Sequence, residues 1–319
     1  MTPERRLHVV SGKGGTGKTT VAAALALALA EEGRRTLLVE VEGRQGIAQL
    51  FETQALPYEE RRIAIGPGGG EVFALAVDAE QALLDYLQMF YKLGGAGRAL
   101  RRIGAIDFAT TIAPGLRDVL LTGKVCEAAR RRGADGRFAY DAVVMDAPPT
   151  GRITRFLGVN DEVADLARVG PIHHQAQAVM RVLKSAETAV HLVTLLEEMP
   201  VQETSDGVAE LRGAELPVGA VVVNMVRRPV PALAADPAEV DRKRLAASLR
   251  SAGLRAPGRL VDPLLSQGVA HAERQSIEAA QRAELTALGL PVRELPLLAD
   301  GADLAGLYRL ARRLREHRW

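Results

Sequence analysis

Short runs of apolar, often β-branched residues recur along the chain at Leu7–Val10, Thr36–Val41, Val72–Val77, Ala142–Met145, His191–Leu195, Val218–Val223 and Val292–Leu295. Most lack polar alternation, the pattern of strands covered on both faces. Segments with helical spacing lie between them, the first being the Ala/Leu-rich Val21–Ala30. Strands and helices in alternation predict an α/β fold with a doubly wound, mostly parallel sheet. Two segments break this rhythm. Ala79–Arg132 holds no strong strand, and its Leu83, Leu84, Leu87, Phe90 and Tyr91, then Leu116, Val119, Leu120 and Val125, recur at helical intervals. Ile153–Ser185 reads likewise. Together they predict a helical subdomain over 79–135 and 152–187, inserted in a single domain spanning 1–319. The remainder reads as a long helix (Pro263–Leu288), the last strand, and a basic closing helix (Asp303–Arg315). Leu304, Leu307, Leu310 and Leu314 form that helix's buried stripe.

Composition narrows the classes. At 319 residues the chain has ample apolar content for a core, and a formal net charge of only +2 gives no field for nucleic acid. The one cysteine, Cys126, excludes an intramolecular disulfide and any Cys-x-x-Cys metal site within the chain, and fits a reducing compartment. The polar Met1–Arg6 leads straight into the first strand, so no signal peptide is visible. The longest apolar stretch, Val21–Ala30, is too short to span a bilayer, so stable membrane insertion is not expected and the chain reads as cytoplasmic.

The strongest chemical signal is Gly12-Lys13-Gly14-Gly15-Thr16-Gly17-Lys18-Thr19-Thr20, between the first strand and first helix. It fits the phosphate-binding loop G-x-x-x-x-G-K-[ST] and adds Lys13 after the first glycine. Gly14, Gly15 and Gly17 allow the backbone to wrap a phosphate. The loop amides, including those of Thr16 and Thr20, and the helix N-terminus direct positive charge at it. Lys18 would reach the β- and γ-phosphate oxygens of ATP, and the Thr19 hydroxyl would ligate Mg²⁺. A second signal is Asp146-Ala-Pro-Pro-Thr-Gly151-Arg-Ile-Thr-Arg-Phe-Leu157. Asp146 closes a buried strand, where a Mg²⁺ carboxylate belongs in phosphate-loop enzymes, and Gly151 is spaced to offer its N–H to the γ-phosphate.

Residues 13–19 resemble the deviant phosphate loop shared by arsenical-pump-driving ATPases, tail-anchored-protein-targeting ATPases, nitrogenase iron protein, and the partition and septum-placing ATPases. Asp146–Leu157 resembles the switch II of the arsenical-pump and tail-anchored-targeting branch, here of actinobacterial type. The resemblance extends to Ala113-Pro-Gly-Leu116, Pro200-Val-Gln-Glu-Thr204, Val223-Asn224 and Leu295-Pro296-Leu297-Leu298. It implies a Mg²⁺-ATP-dependent dimeric switch, as a homodimer or paired with a related ATPase. Lys13 would contact nucleotide across the dimer interface, and Asn224 would read adenine unless it is a strand-end turn former. Pro296 and its neighbours would pack near the base. A protein client would bind at the helical subdomain.

Departures from the family pattern set further expectations. Where the family's second strand ends in an aspartate followed by Pro-Ala-His, this chain has Glu42-Gly43-Arg44-Gln45. Glu42 keeps a carboxylate one methylene longer, able to orient water. Arg44 either stabilises transferring phosphate or is surface. The altered segment raises a second reading, a nucleotide-binding regulatory subunit with weak or no turnover; a partition-type ATPase acting on DNA is a third. With one cysteine, neither an arsenite site nor the family's interfacial zinc site is expected. Met180 is nearly alone in its segment, so no methionine-rich groove for a hydrophobic tail is evident. His173-His174 would be a weak metal pair, since adjacent residues on a helix diverge.

Overall fold

In the computed structural model, residues 5–31, 33–91, 114–167, 171–227, 242–299, 301–316 and 319 are described. Among them, eight strands form one sheet in the order β3-β4-β2-β5-β1-β6-β7-β8. The strands are β1 (Leu7–Gly12), β2 (Arg35–Glu40), β3 (Arg61–Ile65), β4 (Glu71–Ala76), β5 (Ala142–Asp146), β6 (Thr188–Thr194), β7 (Val218–Val226) and β8 (Val292–Pro296). All neighbours pair in parallel except β3 with β4.

The seven apolar runs are all strands, and β3 is the addition. Its Arg-Arg-Ile-Ala-Ile sequence lies at the sheet edge with every residue at least partly exposed, so it carries no buried-strand signature. Strand β7 also extends past the expected end, placing Asn224 inside it rather than after it.

Successive side chains of the central strands enter opposite cores. Val9, Leu37, Val39, Val143 and Met145 face one; Val10, Leu38 and Val144 face the other. The second core is filled by α1 (Lys18–Leu29), with α2 (Gly46–Leu50) following β2 on the same side. Helix α1 is almost wholly buried, which an Ala/Leu surface without a polar face requires. The C-terminal helix, Leu304–Arg315, covers it with Leu307, Leu310, Ala311 and Leu314, and Asp303 caps that helix by accepting the Gly306 N–H at 2.6 Å.

The first core lies under α3 (Ala79–Tyr91), α4 (Pro114–Arg130), α5 (Thr150–Ala167) and α6 (Pro171–Leu183). These pack on one another, and a buried Asn160–Thr122 hydrogen bond of 2.8 Å ties α5 to α4. Residues 92–113, including Ala113, lie outside the described residues. Next come α7 (Glu198–Gly213), α8 (Arg242–Ser251) and α9 (Gly258–Ala287), with the C-terminal helix as α10. Among the described residues no helix is long and apolar enough to cross a membrane. Parallel strands align their C-terminal ends, so the ends of β1, β2, β5, β6 and β7 form one rim, where open α/β sheets bind ligands.

Candidate active site

The loop after β1 is shaped by long-range packing. Gly12 has φ 151°, and a Cβ there would lie 2.1 Å from the Val193 carbonyl oxygen of β6. Gly17 has φ 84°, and a Cβ there would lie 2.4 Å from Asn224 Nδ2. No other residue type fits either position. Thr16 is buried and its Oγ1 donates to the Lys13 carbonyl at 2.8 Å, which closes the loop. Gly14 and Gly15 stand at the exposed tip, and Lys18, Thr19 and Thr20 form the first turn of α1.

Three strand ends bring the charged residues together. Thr19 Oγ1 donates to Asp146 Oδ2 at 2.7 Å, joining α1 to β5. Burial raises the Asp146 carboxyl to about 6; the Thr19 hydrogen bond and Lys18 oppose the rise, and Glu40 and Glu42 add to it. Burial lowers the Lys18 ammonium, while Asp146 and Glu42 pull it back up and Arg44 pushes it down. Glu42 is thus close enough to act on the charge of the phosphate-loop lysine, and the exposed Arg44 guanidinium lies 3.7 Å from its carboxylate. Behind the phosphate loop, Ser11 Oγ donates to the Pro148 carbonyl at 2.6 Å and the Ala147 N–H to Val10 at 2.9 Å. These bonds fix the start of the segment that leads to Gly151, exposed in the first turn of α5.

Lys13 is turned within the chain: its ammonium pairs with the Glu203 carboxylate on α7. Asn224 is aimed by an irregularity. Pairing of β7 with β8 slips between Val223 and Val226, and Met225 there adopts φ 55°. Such a bulge redirects side chains. Asn224 Nδ2 consequently donates to the Thr16 carbonyl at 2.9 Å from a buried position. The amide thus ties β7 to the phosphate loop. Beside it opens a cavity of about 510 Å³, walled by Leu196, Met225, Ile277 and Leu297 with Glu273 and Arg274 of α9. Pro296 is exposed and outside that wall; its neighbour Leu297 is on it.

Other sequence candidates lie apart from this rim. His173 Nδ1 contacts the Ala164 carbonyl at 2.9 Å, and its ring stands at 60° to that of His174. Met180 is buried in the first core. Cys126 is buried too, and burial pushes its thiol up to about 12.

Residue-level reading passed over Glu40, Glu203 and the α9 wall. The signal for Glu40 was present, a carboxylate inside the otherwise apolar run Leu37–Val41. Glu40 is 2% exposed and accepts the N–H groups of Gln45 and Ile47. Glu203 and α9 come close only through folding, across sequence separations that carry no local pattern.

Comparison with known proteins finds ATPases. The family model described as anion-transporting ATPase matches residues 5–185. The chain is 54% identical over 316 residues to ATPase BagA of Mycobacterium tuberculosis, covering 97% of this chain and 92% of that protein. It is 25% identical over 251 residues to ATPase GET3 of Kluyveromyces lactis, covering 68% and 71%. It is 24% identical over 250 residues to a protein of Aquifex aeolicus provisionally named arsenical pump-driving ATPase 2, covering 69% and 80%.

Proposed function

The chain belongs to the anion-transporting ATPase family and is an ATPase, and on that premise we propose that it is a Mg²⁺-dependent, dimeric cytoplasmic switch coupling nucleotide state to a partner or client. The observation that carries this reading is the Thr19–Asp146 hydrogen bond beside Lys18. It sets a hydroxyl, a carboxylate and an ammonium at the end of a phosphate-binding loop.

The donor set fits magnesium, a hard cation that takes oxygen ligands. Lys18 offsets the charges of Asp146 and Glu42. Thr19 would hold Mg²⁺ directly and Asp146 would support it, and the ion would supply charge neutralisation at the phosphates. Lys18 and the amides of residues 14–20 would bind the β- and γ-phosphates of ATP. Glu42 would orient the attacking water and hold its proton at the carboxylate. Gly151, at the start of α5, would report the γ-phosphate to α3–α6, the proposed client-binding subdomain.

The cavity beside Asn224 would take the base, with Leu297 against it and Pro296 flanking. The Asn224 nitrogen is committed to Thr16, so its oxygen is offered as an acceptor. An acceptor suits the exocyclic amine of adenine and opposes the carbonyl of guanine. Lys13 would leave Glu203 and complete the site of a second chain.

Steady-state ATP hydrolysis by the purified chain and by Glu42→Gln tests the reading. We expect turnover that falls on the order of 100-fold in the variant. Tight ATP binding with negligible turnover by the parent would favour the second reading, a regulatory partner of a related ATPase. The Arg44–Glu42 contact, which ties up the carboxylate, favours that alternative. Lys13→Ala is expected to bind ATP yet lose ATP-dependent association, measured by sedimentation. Unchanged association would remove the cross-chain role.

A further inference from the structure

We propose that Glu40 is a positioning residue for hydrolysis, whose buried carboxylate fixes the loop that carries Glu42. The inference rests on the reading of Glu42 as the carboxylate that orients water.

Glu40 ends β2 directly opposite Asp146 on β5. Its Oε1 accepts the Gln45 N–H at 2.5 Å, and its Oε2 accepts the Ile47 N–H at 3.2 Å. The segment 41–44 is thereby closed at its far end onto the strand residue that precedes it. Hydrogen bonds to an ionised acceptor are the strong ones, so one carboxylate can hold both amides of a reversing chain. The reversal needs holding: Gly43 and Gln45 both have left-handed φ, 67° and 57°, and only one of them is glycine. Gln45 is fixed a second time by its own amide, which accepts the Leu56 N–H at 2.7 Å and donates to the Leu56 carbonyl at 3.2 Å.

The pinned turn bears on the phosphate loop. A Cβ on Gly46 would lie 3.2 Å from Thr19 Cγ2, so the start of α2 packs on the residue whose hydroxyl bonds Asp146. Movement of the Glu40 anchor therefore shifts Glu42 relative to Lys18 while the phosphate loop keeps its own supports at Thr16 and Asn224. Glu40 does not take the chemical role itself. Both of its oxygens face backbone amides and it is 2% exposed, whereas the Glu42 side chain is 21% exposed.

Four proteins test this: the parent, Glu40→Gln, Glu42→Gln and the double variant, each assayed for kcat and, by calorimetry with Mg²⁺, for ATP affinity. The isosteric glutamine cannot accept both amides. Glu40→Gln should therefore lose at least ~10-fold in kcat with its ATP dissociation constant within ~3-fold of the parent. The double variant should be no slower than Glu42→Gln, because a misplaced carboxylate and an absent one fail at the same step. Hydrogen exchange at the Gln45 and Ile47 amides should quicken in Glu40→Gln while β2 and β5 stay protected, which separates local release from unfolding. Losses that multiply in the double variant, or full turnover in Glu40→Gln beside a slow Glu42→Gln, overturn the positioning role alone. Full turnover in Glu42→Gln overturns the reading beneath it as well.

Discussion

Two clusters of buried titratable groups flank β1, and they are built on opposite principles. At the strand ends, Asp146 lies among Lys18, Glu40 and Glu42, and burial works against the charges of Asp146 and Lys18. Further back on β1 and β6, His8 and His191 are both fully buried, their rings stacked 5.4 Å apart at 11°. The Ala220 N–H donates to His191 Nδ1 at 3.1 Å, so the ring hydrogen lies on Nε2 and points at His8 Nδ1, also 3.1 Å away. Burial, the leading cause, lowers His8 to about 4 and His191 well below its ordinary range. The histidines are neutral; His191 is bonded through both ring nitrogens, and His8 through Nδ1 alone, its buried Nε2 having no partner among the described residues. The carboxylates sit where the proposed Mg²⁺ would bring positive charge.

The comparison can be broken most sharply at Asp146. Asp146→Asn should reduce kcat on the order of 100-fold or more. The nucleotide-free chain should meanwhile gain up to ~3 kcal/mol at pH 8, because a carboxyl raised to about 6 is costly to keep ionised. Urea unfolding and ATPase assays on one preparation check both halves. A variant that loses stability as well as turnover would show the carboxylate to be a structural support.

The next effect is one of pH. Asp146 has a folded pKa above its unfolded value, so its contribution is present below about pH 4 and is lost as pH rises through about 6. The histidines have folded values below the unfolded one, so their contribution is present above about pH 6.5 and is lost as pH falls towards 4. The two slopes oppose each other over the same range, so Asp146 offsets part of the steeper slope of the two histidines in the parent. Asp146→Asn should unmask the full histidine slope, losing about 2 kcal/mol more than the parent between pH 7 and 4.5. His8→Leu should flatten or reverse it. Parallel stability–pH curves for all three proteins would refute the assignment. The smallest effect is expected at Ser11→Ala, which removes a neutral hydrogen bond to Pro148. It should cost about 1 kcal/mol at every pH.

How legible each cluster was follows from what encodes it. The strand–loop–helix run from Leu7 to Ala30 is contiguous, and Asp146 ends an apolar strand, so both stood out in one dimension. Seven strands did so for the same reason, since burial on both faces leaves unbroken apolar runs. The edge strand Arg61–Ile65 carries no such run, and the slip that places Asn224 depends on how β7 meets β8. Glu40 was visible but unassigned, because its two amide partners lie around a turn the sequence does not announce. Lys13 was recognised, yet its pairing with Glu203 spans 190 residues and awaited the packing of α7.

The Asn224 side chain has a consequence for anyone wishing to redesign this enzyme. One nitrogen braces the loop at Thr16, and the amide fills the space that a side chain at Gly17 would need. On the proposed reading, the oxygen of the same group is the acceptor offered to the base. Preference for a nucleobase and grip on a triphosphate would then run through a single side chain. An attempt to convert the enzyme to guanine nucleotides by changing Asn224 would loosen the phosphate loop first. A new preference would have to be written from the opposite wall, in Ile277 and its neighbours on α9.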